Sequence, residues 1–340
     1  MDNNNPTTQD QFNWDKFSLN GQSSSMKQQM LDDVFVLERT ALLGQHTIYY
    51  AAPNAGKTLI TLYQITVSIN NGNFKAENLM YVNADDTFKG LTTKLGIAEK
   101  FGFQMVAPGH NDFKANMLTT ILQELVDRKK AKDKIIILDT LKKFTDLMDK
   151  TKGSDFANVA REFTSNGGTL ISLAHVNKHK GADGKSVHAG TSDLSDDSDC
   201  VYVIDVIEND ADVKVVEFFN TKSRGDVDKI THFSYDQSKT DYTELLKSIQ
   251  PVNNGQATAL KTSSITKNFK STHSKTIQLI RELIMNGTTS QKGIMDSLKS
   301  SHELSSSLAR EVILEMTDDE WEKKTGSNNK YIYSLITPPP

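Results

Sequence analysis

Gly56, Lys57 and Thr58 stand together at the end of TIYYAAPNAGKT (47–58), a run that passes from apolar to small residues. A flexible residue, a cation and a hydroxyl in succession make a set that can hold phosphate. Backbone N–H groups converge on phosphate oxygens only where bulky side chains are absent, and Gly56 supplies that room. The Lys57 ammonium can reach the β- and γ-phosphates of a nucleotide, and the Thr58 hydroxyl can ligate Mg²⁺. The spacing follows the P-loop pattern G-x-x-x-x-G-K-[ST], with Ala51 where the first glycine usually stands. The residues expected around the phosphates are Ala51, Pro53, Asn54, Ala55, Gly56, Lys57, Thr58 and Leu59, and the expected ligands are a nucleoside triphosphate and Mg²⁺. Helical spacing from Lys57 to about Ser68 would put a helix N-terminus behind the phosphates.

Such a loop needs an acidic partner for the metal, at the end of a buried strand beside its own. Lys134–Asp139, KIIILD, is a continuous apolar run that ends in a carboxylate. It reads as a parallel strand buried on both faces. Asp139 also suits a helix cap, but with Lys57 and Thr58 upstream the metal role is preferred. Hydrolysis further needs a group that takes a proton from water. Asp85 and Asp86 follow the strand-like NLMYVN (78–83), and one of them suffices to cap the helix expected over Thr87–Phe101. Asp85 is the expected base. His175, at the end of TLISLA (169–174), is a candidate sensor of the γ-phosphate.

The elements that must position these groups alternate between strand and helix over most of the chain. This predicts an α/β fold with a doubly wound, mostly parallel sheet. The chain has 340 residues, enough for one large domain and a smaller one. Residues 1–22 are rich in Asn, Gln, Ser and Asp and read as a mobile arm, with a short helix over Met26–Leu31. The 23–246 span reads as the α/β domain. Residues 181–199 lack periodicity and read as a mobile loop. Residues 247–272 are polar and read as a linker. Over 273–336, three helices and a strand–turn–strand, WEKKTGSNNKYIYSLI, suggest a small α+β winged-helix-like domain.

A net charge of −4 excludes a polycation, so contacts to nucleic acid must come from local basic loops or from a pore built by several subunits. One cysteine, Cys200, excludes an internal disulfide framework and a cysteine-built zinc cluster. No apolar run reaches transmembrane length, and the polar N-terminus lacks the core of a signal peptide; the expected setting is the cytoplasm, with no membrane partner.

APNAGKT, YVNADD, IIILDT, LISLAHVNK and NTKSRGD, in this order, resemble the RecA-like ATPases of hexameric helicases. The likeness spans about residues 35–240. It is greatest to the RepA-type replicative helicases of plasmids and phages; DnaB-type helicases and RecA-type recombinases are more distant. The resemblance implies a ring, a hexamer, with ATP between neighbours. It implies DNA-dependent ATP hydrolysis in plasmid or phage replication, and a replication-initiation or primase protein as a partner. By position, Asp85 falls where the family has its catalytic Glu, and His175 where it has a γ-phosphate sensor. Arg224 falls at the arginine finger, with Lys222 as its helper. The loop after His175 corresponds to the channel loop, where Lys178, Lys180 and Lys185 would meet single-stranded DNA phosphates. Lys142, Lys143, Lys150 and Lys152 could add to this contact. The C-terminal module departs from a minimal protein of this type. Arg310 and Lys330 could face DNA there, whereas Asp318, Asp319, Glu320 and Glu322 oppose it, so protein docking stays open. An ATP-gated regulatory assembly without unwinding is the alternative function.

Overall fold

The computed structural model describes residues 14–29, 34–145, 150–180, 186–188, 192–209, 212–326 and 330–336. The chain forms two compact units, Met1–Asn254 and Gly255–Pro340.

The strands of the first unit are β1 (Phe35–Leu37), β2 (Ala41–Leu42), β3 (His46–Ala51), β4 (Leu79–Asn83), β5 (Gln104–Val106), β6 (Ile135–Asp139), β7 (Thr169–Lys180), β8 (Ser186–His188), β9 (Cys200–Asn209), β10 (Val213–Ser223), β11 (Ile230–Asp236) and β12 (Gln250–Val252). Its helices are α1 (Ser23–Gln29), α2 (Lys57–Asn70), α3 (Phe88–Phe101), α4 (Leu118–Asp127), α5 (Lys150–Ser165), α6 (Ser192–Asp197) and α7 (Tyr242–Lys247). The large sheet has the order β12-β11-β10-β9-β3-β7-β6-β4-β5, with β8 on β7. From β9 to β5 neighbouring strands are parallel, and from β9 to β12 they are antiparallel.

Alternation along the strands divides the core between two faces. Tyr49, Ala51, Tyr81, Ile135 and Ile137 pack with Leu59, Ile60 and Leu62 of α2 and Ile97 of α3. Ile48, Tyr50, Val82, Ile136 and Leu138 pack with Leu122 of α4 and Phe156, Ala160 and Phe163 of α5. Helices therefore cover both faces, which is why β6 is apolar at every position but its last.

Several expectations change. The sequence places Asp139 on a strand beside β3, but β7 lies between β3 and β6. Both neighbours bury an apolar strand equally well, so composition does not encode the order. β7 runs past His175 to Lys180, and β8 pairs back on it, so part of the expected loop is a hairpin. Of the N-terminal arm, 1–13 lie outside the described residues, and Trp14–Phe17 forms a 3₁₀ turn. On α3, Phe88 is 77 % exposed. The expected linker is also corrected. Gln250–Val252 is the edge strand β12, where Pro251 lacks no ladder partner it needs, and a helix starts at Asn254.

The second unit holds nearly all of that helix, α8 (Asn254–Met285), followed by α9 (Gln291–His302), α10 (Ser306–Glu315), β13 (Trp321–Thr325) and β14 (Tyr331–Leu335). Polar residues hid the first half of α8, but between Gln256 and Asn286 there is no Gly or Pro to break it. Its backbone leaves helical geometry at His273. Ile277, Ile280 and Ile284 pack with Ile294, Leu298, Val312 and Ile313 around Trp321, whose Nε1 donates to Ile313 O at 3.0 Å. Ser290 bridges to Ile332 of β14. Among the described residues no helix is long and apolar enough to cross a membrane.

His46 opens β3 from a fully enclosed position, 3.0 Å from Ser172 Oγ. Burial pushes its pKa down to about 4, helped by Arg161 and Lys222 and opposed by Asp199. The unfolded imidazole takes a proton near 6.5, so the folded state loses stability as pH falls from there toward 4. The shift corresponds to about 3 kcal/mol. Denaturant titrations at pH 7, 5 and 4 are expected to show this loss, and His46→Gln to flatten it.

Candidate nucleotide site

β3 delivers the loop and stops at Ala51; α2 starts at Lys57. Gly56 flanks that start at φ 90°, ψ 2°, left-handed backbone that strains a side chain. Space is tight as well, since a Cβ there would meet Tyr235 Oη at 3.0 Å and Cε1 at 3.1 Å and the ring would have to give way slightly. Asn54 also takes positive φ, 61°, which an asparagine tolerates. The first turn of α2 then places Lys57, Thr58 and its unpaired N–H groups at the C-terminal edge of the parallel strands, where open α/β sheets take ligands.

Strand ends supply the rest. Thr58 Oγ1 donates to Asp139 Oδ2 at 2.9 Å, and Tyr81 Oη of β4 donates to the same oxygen at 2.7 Å. Asp139 is fully buried, and its Oδ1 accepts no hydrogen bond. Lys57 Nζ stands 3.6 Å from Oδ1. Burial lowers the Lys57 pKa, and Asp139 opposes that shift. A buried carboxylate oxygen without a donor, beside a threonine hydroxyl, fits a divalent cation. Thr58 and Asp139 are the residues that would hold Mg²⁺, with phosphate oxygens and water completing its shell. Among the described residues no cluster of three His, Cys, Asp or Glu forms a separate metal cage.

The cleft above these groups has a volume of about 710 Å³. Ala52–Leu59, Asp85, Asp86 and His175 line it, as do Tyr235 and Tyr242. Ala51, expected among the phosphate residues, is instead buried in β3 opposite His175, and Ala52 takes its place at the cleft. The ladder of β3 runs through position 51, so its side chain packs in the core. His175 is half-buried, its Nδ1 is enclosed without a hydrogen bond, and its pKa is lowered. Burial is the main cause, followed by Lys57 and Lys142, so the ring is neutral at pH 7.

The remaining expected residues stand apart. Arg224 follows β10, with Nη1 3.1 Å from Asp199 Oδ1. Asp199 Oδ2 accepts from the backbone N of His46, the first residue of β3, whereas the P-loop follows the last. A strand length of about 16 Å therefore separates Arg224 from the cleft of its own chain. Lys222 Nζ donates to Ser195 O and Asp196 O of α6. Lys178 and Lys180 belong to the far end of β7, and Lys185 lies outside the described residues.

Sequence reasoning missed Tyr81, Lys94, Tyr235 and Tyr242. Lys94 pairs with Asp86 and lies 3.9 Å from Asp139 Oδ2. Each of these sits at an ordinary core or helix position, so only the folded chain shows that it reaches the cleft. No protein-family model matches the sequence, and no curated protein matches it.

Gly56→Ala is expected to cost about 1–2 kcal/mol from left-handed strain alone. Thermal unfolding measures that loss, and titration with a fluorescent ATP analogue is expected to show binding reduced with it.

Proposed function

We propose that this chain is a RecA-like P-loop ATPase that works as a ring on single-stranded DNA, in the manner of the RepA-type replicative helicases. One observation supports this above the others. Lys57, Thr58 and the orphaned oxygen of Asp139 meet at the C-terminal edge of a parallel sheet in which β7, carrying His175, separates the P-loop strand from the acidic strand.

On this proposal Lys57 moves from Asp139 to the β- and γ-phosphates of ATP. Mg²⁺, when bound, neutralises phosphate charge and orients the γ-phosphoryl group. Asp85, exposed in the cleft, takes the proton of the attacking water as its oxygen bonds to the γ-phosphorus. The bond to the β–γ bridging oxygen breaks, and ADP leaves. Neutral His175 hydrogen-bonds a γ-phosphate oxygen and senses its loss. Because Arg224 lies a strand length from its own cleft, it serves the cleft of an adjacent copy, where such a residue is worth roughly 10³–10⁵ in rate. Lys178, Lys180 and Lys185, after His175, follow the sensor and contact the DNA backbone.

Lys57→Ala is expected to abolish nucleotide binding, and the wild-type ATPase to rise with single-stranded DNA. Mass photometry with ATP is expected to show a ring that Lys57→Ala does not form. A wild-type chain that neither binds single-stranded DNA nor responds to it in turnover would refute the motor.

The second unit favours a second function, an ATP-gated assembly that binds duplex DNA without unwinding it. Its helix order, the Ser290–Ile332 bridge and the β13–β14 pair suit a winged helix. Two members of the acidic run that opposed DNA binding, Asp319 and Glu320, are paired with cations. Lys270 Nζ lies 2.9 Å from Asp319 and 3.0 Å from Glu320, and Arg281 also pairs with Glu320. Lys292, Arg310 and Lys330 meanwhile line a cavity of about 800 Å³ together with Asp296. Strand displacement separates the two functions. Duplex binding that Arg310→Glu weakens, with no displacement by the wild-type chain, would establish the regulator.

A further inference from the structure

Two adjacent carboxylates, Asp85 and Asp86, border the cleft, and the chain treats them differently. Asp86 is held on three sides. Asn83 Nδ2 donates to its Oδ2 at 2.7 Å, and the Lys94 ammonium pairs with the same oxygen. Its carboxyl group also lies against Gly90 so closely that a Cβ there would meet Oδ1 at 2.7 Å. Both residues are exposed, but Asp85 has no hydrogen bond or ion pair among the described residues.

Lys94 is itself 6 % exposed. It occupies an inward position of α3, in line with Ile97 and Ala98, which are buried in the core. An apolar side chain at such a place would serve stability as well as a buried ion pair does, because desolvating an ammonium offsets its attraction to carboxylates. Its Nζ also stands 3.9 Å from Asp139 Oδ2. When Lys57 turns to phosphate, Lys94 is the cation left beside both Asp86 and Asp139.

We propose that Lys94 is a positioning residue that holds Asp86 away from the attacking water and leaves Asp85 as the one carboxylate free to take its proton. This rests on the ATPase function proposed above. Without Lys94, Asp86 becomes a second, unpaired negative charge beside Asp85, Asp139 and the phosphates. The expected harm is to the chemical step, and removing the charge of Asp86 should undo it.

The test uses the full chain, with single-turnover ATP hydrolysis and equilibrium binding of a fluorescent ATP analogue. Lys94→Met is expected to slow hydrolysis about tenfold while binding stays within about threefold. Lys94→Arg, which keeps the charge, is expected to retain at least about half of the rate. Adding Asp86→Asn to Lys94→Met is expected to recover at least about threefold, the mark of a coupled pair. Asp85→Asn is expected to lose about a hundredfold. Three results would overturn the proposal while leaving the ATPase standing. Lys94→Met could weaken binding tenfold or more without rescue by Asp86→Asn, which makes Lys94 a phosphate ligand. It could leave hydrolysis unchanged. Asp86→Asn could prove more harmful than Asp85→Asn. A wild-type chain whose nucleotide binding is no different from that of Lys57→Ala overturns the ATPase and this proposal together.

Discussion

The burial of Asp139 is the constraint on which the first unit turns. A carboxylate with no exposed surface is costly unless its oxygens are satisfied. Here Thr58 and Tyr81 donate to one oxygen, while Lys57 and Lys94 bring positive charge from two different helices. The P-loop helix, β4, β6 and α3 must therefore all arrive at one point. The other oxygen has no donor. On the function proposed above, a divalent cation and a triphosphate would complete the set.

The sheet order explains how these groups share an edge. With β7 between β3 and β6, the loop after β3 and the carboxylate of β6 straddle His175. Thr58 still reaches Asp139 across that gap, at 2.9 Å. The antiparallel strands β10–β12 extend the sheet on the other side. β11 brings Tyr235 over Gly56, and α7 adds Tyr242 to the cleft wall. The same extension carries Arg224 away, to a buried aspartate that it shares with Arg161. One edge of the sheet thus holds Lys57, Thr58 and Asp139, and the opposite edge holds Arg224.

The second unit has its own core around Trp321 and its own distribution of charge. Lys270 and Arg281 of α8 gather the acidic side chains of the turn before β13. Lys292 of α9, Arg310 of α10 and Lys330, just before β14, are left around a separate cavity. Charges interleaved along the chain are sorted onto different sides once the helices pack.

What the sequence determined by itself is everything carried by local pattern. The turn into α2 was legible because a glycine, Gly56, stands between an apolar run and the helical spacing that starts at Lys57. KIIILD was legible because a strand covered on both faces admits only apolar residues until its end. Asp85, Asp86 and His175 were legible because they stop apolar runs. Only the tertiary structure decided what depends on distance through space. It put β7 between the two strands of the site, moved Ala51 into the core, turned Lys94 inward, separated Asp86 from Asp85 by its partners, and joined a polar segment to a long helix. A buried apolar strand has no preference among apolar neighbours, and a lysine at helical spacing carries no mark of the carboxylate it will meet. Those choices are made by the packing of the whole sheet.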